Sequence, residues 1–243
     1  MRMLNFAKRN FKELIRDPLS LVFEIALPII LLFLFQQFNI PSENFLLKNF
    51  TPGIIIFGFS FITLFTSTLI AKDRTSSLLI RLGTSPMKPS DYILGYVLSI
   101  IPIILIQVVL FFLVAIILGL SINISIIYTI LISIVLSIFF ISLGILIGSL
   151  VSEKGTGGLG SLIVQLVCFT SGMYFPSETV GKTFKTICQL LPFESCLNII
   201  KAVLNENYNL VSTKDIIVYS IYTIVTLIIT IIIFNKKMVS DNK

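Results

Sequence analysis

Two apolar runs decide the fold: YILGYVLSIIPIILIQVVLFFLVAIIL at 92–118 and ISIIYTILISIVLSIFFISLGILIGSL at 124–150, joined only by GLSIN at 119–123. Each run is longer than the roughly 20 apolar residues that cross a bilayer as a helix. Neither holds an Asp, Glu, Lys or Arg. The short join predicts an antiparallel hairpin of two membrane helices. Composition carries the same conclusion across the whole chain: of 243 residues, 56% are hydrophobic and 12% charged. The charged share is about half the roughly 25% of a soluble domain. An all-α integral membrane protein is expected.

Outward from this pair, further runs predict spans at about 19–38, 52–71, 155–175 and 216–234, making six. The first is too long for a signal-peptide core, carries Glu24 and lacks a small-residue cleavage pattern behind it, so it is expected to stay in the mature protein. Upstream, Leu4, Ala7, Phe11, Leu14 and Ile15 make one stripe, with Asn5, Lys8, Arg9, Lys12 and Arg16 opposite. That pattern predicts a basic helix in the membrane interface. It ends at Asp17-Pro18, because proline breaks the helical ladder.

The longest segment without a span is 177–215. Val180, Phe184, Ile187, Cys188 and Leu191 share one helical face. After Pro192 the pattern restarts with Phe193, Cys196, Leu197, Ile200, Val203 and Leu204. Two short amphipathic helices broken by proline are expected to dip into, or lie along, the membrane surface.

Orientation follows from the 18 Lys and Arg residues. Those at 2–16, 72–88, 154 and 236–243 fall on one side, and only Lys48, Lys182, Lys185, Lys201 and Lys214 on the other. The positive-inside rule puts the richer side, and both termini, in the cytoplasm. The helix pair is then extracellular.

Several chemistries are excluded. The chain has no histidine, which removes H-E-x-x-H zinc sites and the usual general base. Cys168, Cys188 and Cys196 form no CxxC pair, so neither metal nor redox chemistry is expected. Gly155-x-Gly157-x-x-Gly160 precedes an apolar helix and follows no strand, so it is read as close packing and not as a dinucleotide loop. Gly53-x4-Gly58 lacks the P-loop lysine. The net charge of +6 lies beside hydrophobic spans, which fits membrane topology and no nucleic acid. Ser133, Ser137, Gly144 and Gly148 share a face of the fourth span and predict close helix packing, within the subunit or against another.

With no charged residue in the central turns of the last four spans, a self-powered carrier is disfavoured. Energy is expected to enter from outside, through the cytoplasmic loop KDRTSSLLIRLGTSPMKPSD at 72–91. Its Leu78, Leu79, Ile80 and Leu82 form an apolar cluster beside Arg74 and Arg81, which calls for a partner or lipid to cover it.

The order of these features resembles the membrane subunit of an ABC-2 type transporter. The resemblance runs through Arg16-Asp17-Pro18, Pro52-Gly53, Asp73-Arg74 with Leu78-Leu79, Thr84-Ser85-Pro86 and Tyr92-Ile93-Leu94-Gly95. It continues through Ser171-Gly172, Phe175-Pro176, Leu191-Pro192 and Ile200-Lys201-Ala202-Val203-Leu204. The resemblance implies a single transmembrane domain over 1–243, with an interfacial helix at 1–17, a coupling loop at 72–91 and an extracellular hairpin at 177–215. It implies pairing with a second permease subunit, identical or related, and a separate cytoplasmic ATPase that carries ATP and magnesium. The chain itself would hold no cofactor and catalyse nothing.

Docking is then assigned to Asp73, Arg74, Ser77, Leu78, Leu79 and Arg81, and an extracellular gate to Pro176, Leu191, Pro192 and Phe193. The loop departs from the family's usual Glu-Arg-x-x-Gly, with Asp73 for glutamate and Ser77 for glycine, and Lys201 stands where arginine is common. For Thr63, Thr66, Gln107 and Gln165 two roles are open, lining the path or bonding a neighbouring helix. The expected cargo is a drug, antimicrobial peptide or lipid-like compound. A polysaccharide or teichoic-acid exporter subunit and an ATP-independent channel or carrier are the alternatives.

Overall fold

A computed structural model describes residues 2–38, 43–76, 89–175 and 181–240. Among the described residues the regular structure is helical throughout. Helix α1 is Arg2–Ile15. Helix α2 is Pro18–Gln37, wound as a π-helix over Val22–Ala26. There follow α3 (Leu47–Thr75), α4 (Pro89–Ile117), α5 (Ser125–Leu150) and α6 (Glu153–Thr170). The chain continues with α7 (Lys182–Leu190), α8 (Pro192–Leu204) and α9 (Thr213–Ser240).

Five of these, α2, α3, α4, α5 and α9, are long and apolar enough to cross a membrane. Helix α6, expected as the fifth span, falls short by that measure. It opens on Glu153 and Lys154 and carries four glycines in its first half, so its apolar stretch is brief. It also stops at Thr170, several residues before the expected end, where Gly172 takes φ +79°. That left-handed conformation is open to glycine and ends the ladder.

Helix α3 is the centre of the bundle. Its sides from Phe50 to Ala71 are mostly buried, against α2, α4, α5, α6 and α8. The small-residue face of α5 meets it. A Cβ on Gly144 would lie 2.9 Å from the Thr63 carbonyl oxygen, and one on Gly148 would lie 2.5 Å from that of Ser67. The close packing is therefore within the subunit. On the other flank Gly160 of α6 presses on Leu64, where a Cβ would run into Cδ1. Gly157 and Gly158 face open space.

The start of α3 differs from expectation. The helix begins at Leu47, so Pro52 lies inside it. Proline has no N–H to give the Lys48 carbonyl, which is left without its helical donor. Asn205, after α8, directs its Nδ2 to that oxygen at 3.5 Å and bonds the Lys201 carbonyl at 2.9 Å.

Helices α7 and α8 meet at Leu191-Pro192 with a bend of 77°. Helix α8 is the better covered of the two. Its Phe193 ring lies 6.3 Å from Phe139 and 6.2 Å from Phe140. Cys188 and Cys196 are both buried and free. Helix α9 is held on α5 by Tyr219, whose hydroxyl donates to the Leu136 carbonyl, and by Thr230, which donates to the Ser142 carbonyl at 3.0 Å.

Candidate functional site

The last turn of α3, where the 72–91 loop begins, is tied to the helix ends around it. Asp73 is buried, its side chain only 1% exposed. Arg9 of α1 donates from Nη1 to both of its carboxylate oxygens, at 2.8 and 2.9 Å. The Tyr96 hydroxyl of α4 donates to Oδ2 at 2.8 Å. Three charge-assisted bonds thus replace the water that a buried carboxylate loses. Lys72 pairs with Glu13 of α1 at 3.0 Å, and Glu13 also pairs with Arg9 at 2.5 Å. Arg74 donates to the Gly148 carbonyl at the end of α5, at 3.0 Å. Thr75 donates to Glu153 at the start of α6, at 3.0 Å.

Sequence spacing brings these groups together for identifiable reasons. Arg9 and Glu13 stand four apart and share a face of α1. Phe6, one turn earlier, packs edge-on against Tyr92 and Tyr96 at 5.4 and 5.1 Å, and this docks α1 on α4. Gly95 makes room, since a Cβ there would lie 2.5 Å from the Phe6 ring. Lys72 and Arg74 also stand where the carbonyl end of α3 favours positive charge.

Of the expected docking residues, Asp73 and Arg74 are described, and both turn inward as anchors of the loop's base. Ser77, Leu78, Leu79 and Arg81 lie outside the described residues, as does Pro176 of the expected gate. Leu191 is partly covered, and Pro192 and Phe193 are buried in the bundle.

The four polar residues with two open roles divide. Thr63 donates to the Phe140 carbonyl of α5 at 3.0 Å, and Gln107 donates to the Glu24 carbonyl of α2 at 3.0 Å. Thr66 is buried against Gly144. These three lie inside the subunit, Thr63 and Gln107 bonding a neighbouring helix and Thr66 packing against one. Gln165 instead lines a groove of about 670 Å³ between α2, α3 and α6, together with Phe23, Phe61, Phe65, Cys168 and Phe169. The groove is largely apolar, with Ser20, Thr68 and Ser161 among its few polar groups.

Sequence reasoning missed Arg9, Glu13 and Tyr96 as partners of the loop. Arg9 sits in a run of cations that reads as one solvated face. The one available signal was the acid Asp73 closing an apolar span, a position that needs a cation nearby.

No curated protein matches the chain. The family model described as ABC-2 type transporter matches residues 3–205, from α1 through α8. With that match over most of its length and five helices able to cross a bilayer, the chain belongs to the ABC-2 type transporter family, as a multi-pass membrane permease subunit.

Proposed function

We propose that this permease serves an ATP-driven exporter and that a separate ATPase docks on the 72–91 loop. The observation that carries this reading is the anchorage of the loop's base. Lys72, Asp73, Arg74 and Thr75 are bound to α1, α4, α5 and α6. A push on the loop therefore reaches four helices at once, which is what a coupling element requires. Ser77, Leu78, Leu79 and Arg81 supply the contact with the ATPase, and Asp73 and Arg74 transmit it. ATP and magnesium reside on that partner.

Two permease subunits, identical or related, pair across the groove between α2, α3 and α6. The groove is half of the translocation path, and Gln165 is its polar contact. Its phenylalanine lining supports a drug, an amphipathic peptide or a lipid-like cargo, and disfavours a sugar polymer. The bundle stands in the cell membrane with both termini cytoplasmic. Helix α6 serves as a short sixth crossing. The bent α7–α8 pair enters the outer face without crossing, with 176 and 191–193 as its gate. The whole forms a single transmembrane domain.

The test is the double substitution Leu78→Asp, Leu79→Asp. It is expected to abolish recovery of the ATPase while the permease still elutes as a folded species. An ATPase that stays bound to a well-expressed double variant would overturn the docking assignment.

A further inference from the structure

The basic face of α1 does more than touch the membrane surface at large. Helix α1 has three faces. Phe6, Ala7, Asn10 and Leu14 are buried against the bundle, whereas Leu4 and Ile15 are 59% and 45% exposed. The remaining face overhangs a cleft of about 820 Å³ that reaches from α1 to the first residues of α2 and to Lys72 at the end of α3.

Lys8, Lys12, Arg16 and Lys72 line this cleft, with Arg9 at its inner wall. Two carboxylates share it, and both are engaged. Glu13 is paired with Arg9 and Lys72. Asp17 accepts from the Ser20 N–H at 3.2 Å and from the Ser20 hydroxyl, capping α2. Among the described residues, Lys8, Lys12 and Arg16 have no carboxylate within ion-pair distance. The cleft therefore keeps an excess of positive charge, directed at whatever occupies it.

We propose that this cleft binds the phosphate headgroup of an anionic phospholipid. Three things favour a lipid over an acidic protein surface. The exposed Leu4 and Ile15 flank the cations at the spacing of an interfacial helix, which places acyl chains beside the cleft. Val22, near the start of α2, is 53% exposed, so the neighbouring helix is also apolar outward. Lysine and arginine stems on such a boundary reach past apolar surface to the headgroup level. A phosphate there takes donors from Lys8, Lys12 and Arg16 without displacing Arg9 from Asp73. The bound lipid holds α1 against the base of the loop. This inference needs the membrane placement of the bundle but neither the ATPase nor the direction of transport.

The experiment measures thermal stability of the purified full chain in neutral detergent. The additions are phosphatidylglycerol, phosphatidylcholine or inorganic phosphate. Phosphatidylglycerol is expected to raise the midpoint, and the other two are not. A cation near an anionic surface contributes roughly fivefold in affinity. The triple variant Lys8→Gln, Lys12→Gln, Arg16→Gln is therefore expected to need roughly a hundredfold more phosphatidylglycerol. Lys8→Arg with Lys12→Arg keeps the charge and is expected to respond as the native chain does. If the triple variant does not fold, Lys12→Gln and Arg16→Gln are read singly, each expected to weaken the response roughly fivefold.

Equal stabilisation by both lipids would overturn the proposal, as would an unchanged response in the folded variants. Stabilisation by inorganic phosphate as large as by the lipid would assign the cleft to a free anion. Loss of ATPase recovery from the triple variant, with its lipid response intact, would assign the cleft to the partner protein.

Discussion

Arg9 holds Asp73 through both carboxylate oxygens, at 2.8 and 2.9 Å, across 64 residues of sequence. One partner is on α1 and the other is in the last turn of the central helix α3. The pair therefore fixes where the 72–91 loop leaves the bundle. Tyr96 completes the shell from α4.

Removing Arg9 leaves a buried carboxylate with one hydroxyl donor. Arg9→Ala is expected to lower stability by about 1–3 kcal/mol, the scale on which a buried acceptor that loses its donors acts, since Asp73 is buried while Arg9 is partly exposed. Arg9→Lys is expected to recover only part, because an ammonium does not present the planar fork. Thermal unfolding of Arg9→Ala, Asp73→Ala and the double variant gives the coupling. A double variant no worse than the poorer single is the expected result.

The α3–α5 contact gives a paired test on glycines. Gly148→Ala places a Cβ 2.5 Å from the Ser67 carbonyl, a backbone atom that cannot swing away. The expected cost is about 1–3 kcal/mol, as for overpacking of a tight interior. Gly157→Ala meets nothing within 4 Å. It is expected to be neutral or to stabilise α6 by up to about 1 kcal/mol, since alanine is the better helix former. Thermal midpoints in one detergent separate the two.

Gly58 makes room for the amide that crosses to α2. A Cβ there would overlap Gln107 Nε2, which donates to the Glu24 carbonyl within the π-helical turn. Gly58→Ala is expected to destabilise by forcing that amide aside. Adding Gln107→Ala empties the space, so the double variant is expected to be more stable than Gly58→Ala alone. Additive losses in the cycle would mean that the two residues do not share the site.

Gln165 lines the groove and faces away from the core, so its removal probes function apart from folding. Gln165→Leu is expected to leave stability within about 0.5 kcal/mol of the native chain, as for an exposed position. Transport of polar, amphipathic cargo by reconstituted vesicles is expected to fall. Unchanged transport across a cargo panel would remove Gln165 from the path.

The membrane helices were legible because long apolar runs with at most one charge allow little else. Their ends were less so. The run at 52–71 gives no sign that α3 starts at Leu47, since the acceptor stranded by Pro52 is met by Asn205, 157 residues away from Lys48. The run at 155–175 reads as a span, whereas α6 opens on Glu153, Lys154 and four glycines and falls short of the other five in hydropathy. The small face of α5 was visible as a pattern, but whether it packed inside or outside the subunit depended on which neighbour lay opposite. The loop's base was half legible. Asp73-Arg74 stood out as a motif, yet nothing local assigns Asp73 to Arg9 and Arg74 to the carbonyl of Gly148. Those pairings come from how α1 and α5 dock, and docking is set by Phe6, Gly95 and Gly148, whose roles are tertiary.

The proposed function makes this permease depend on an ATPase bound at the 72–91 loop. The most direct measurement is purification of the tagged chain from its native membrane in mild detergent, with mass spectrometry of what accompanies it. The expected result is a stoichiometric soluble protein carrying a Walker A lysine, recovered with one or two copies of a permease chain. An intact, folded permease that brings no ATPase, even after cross-linking in the membrane, would contradict the claim and leave an ATP-independent transporter in its place.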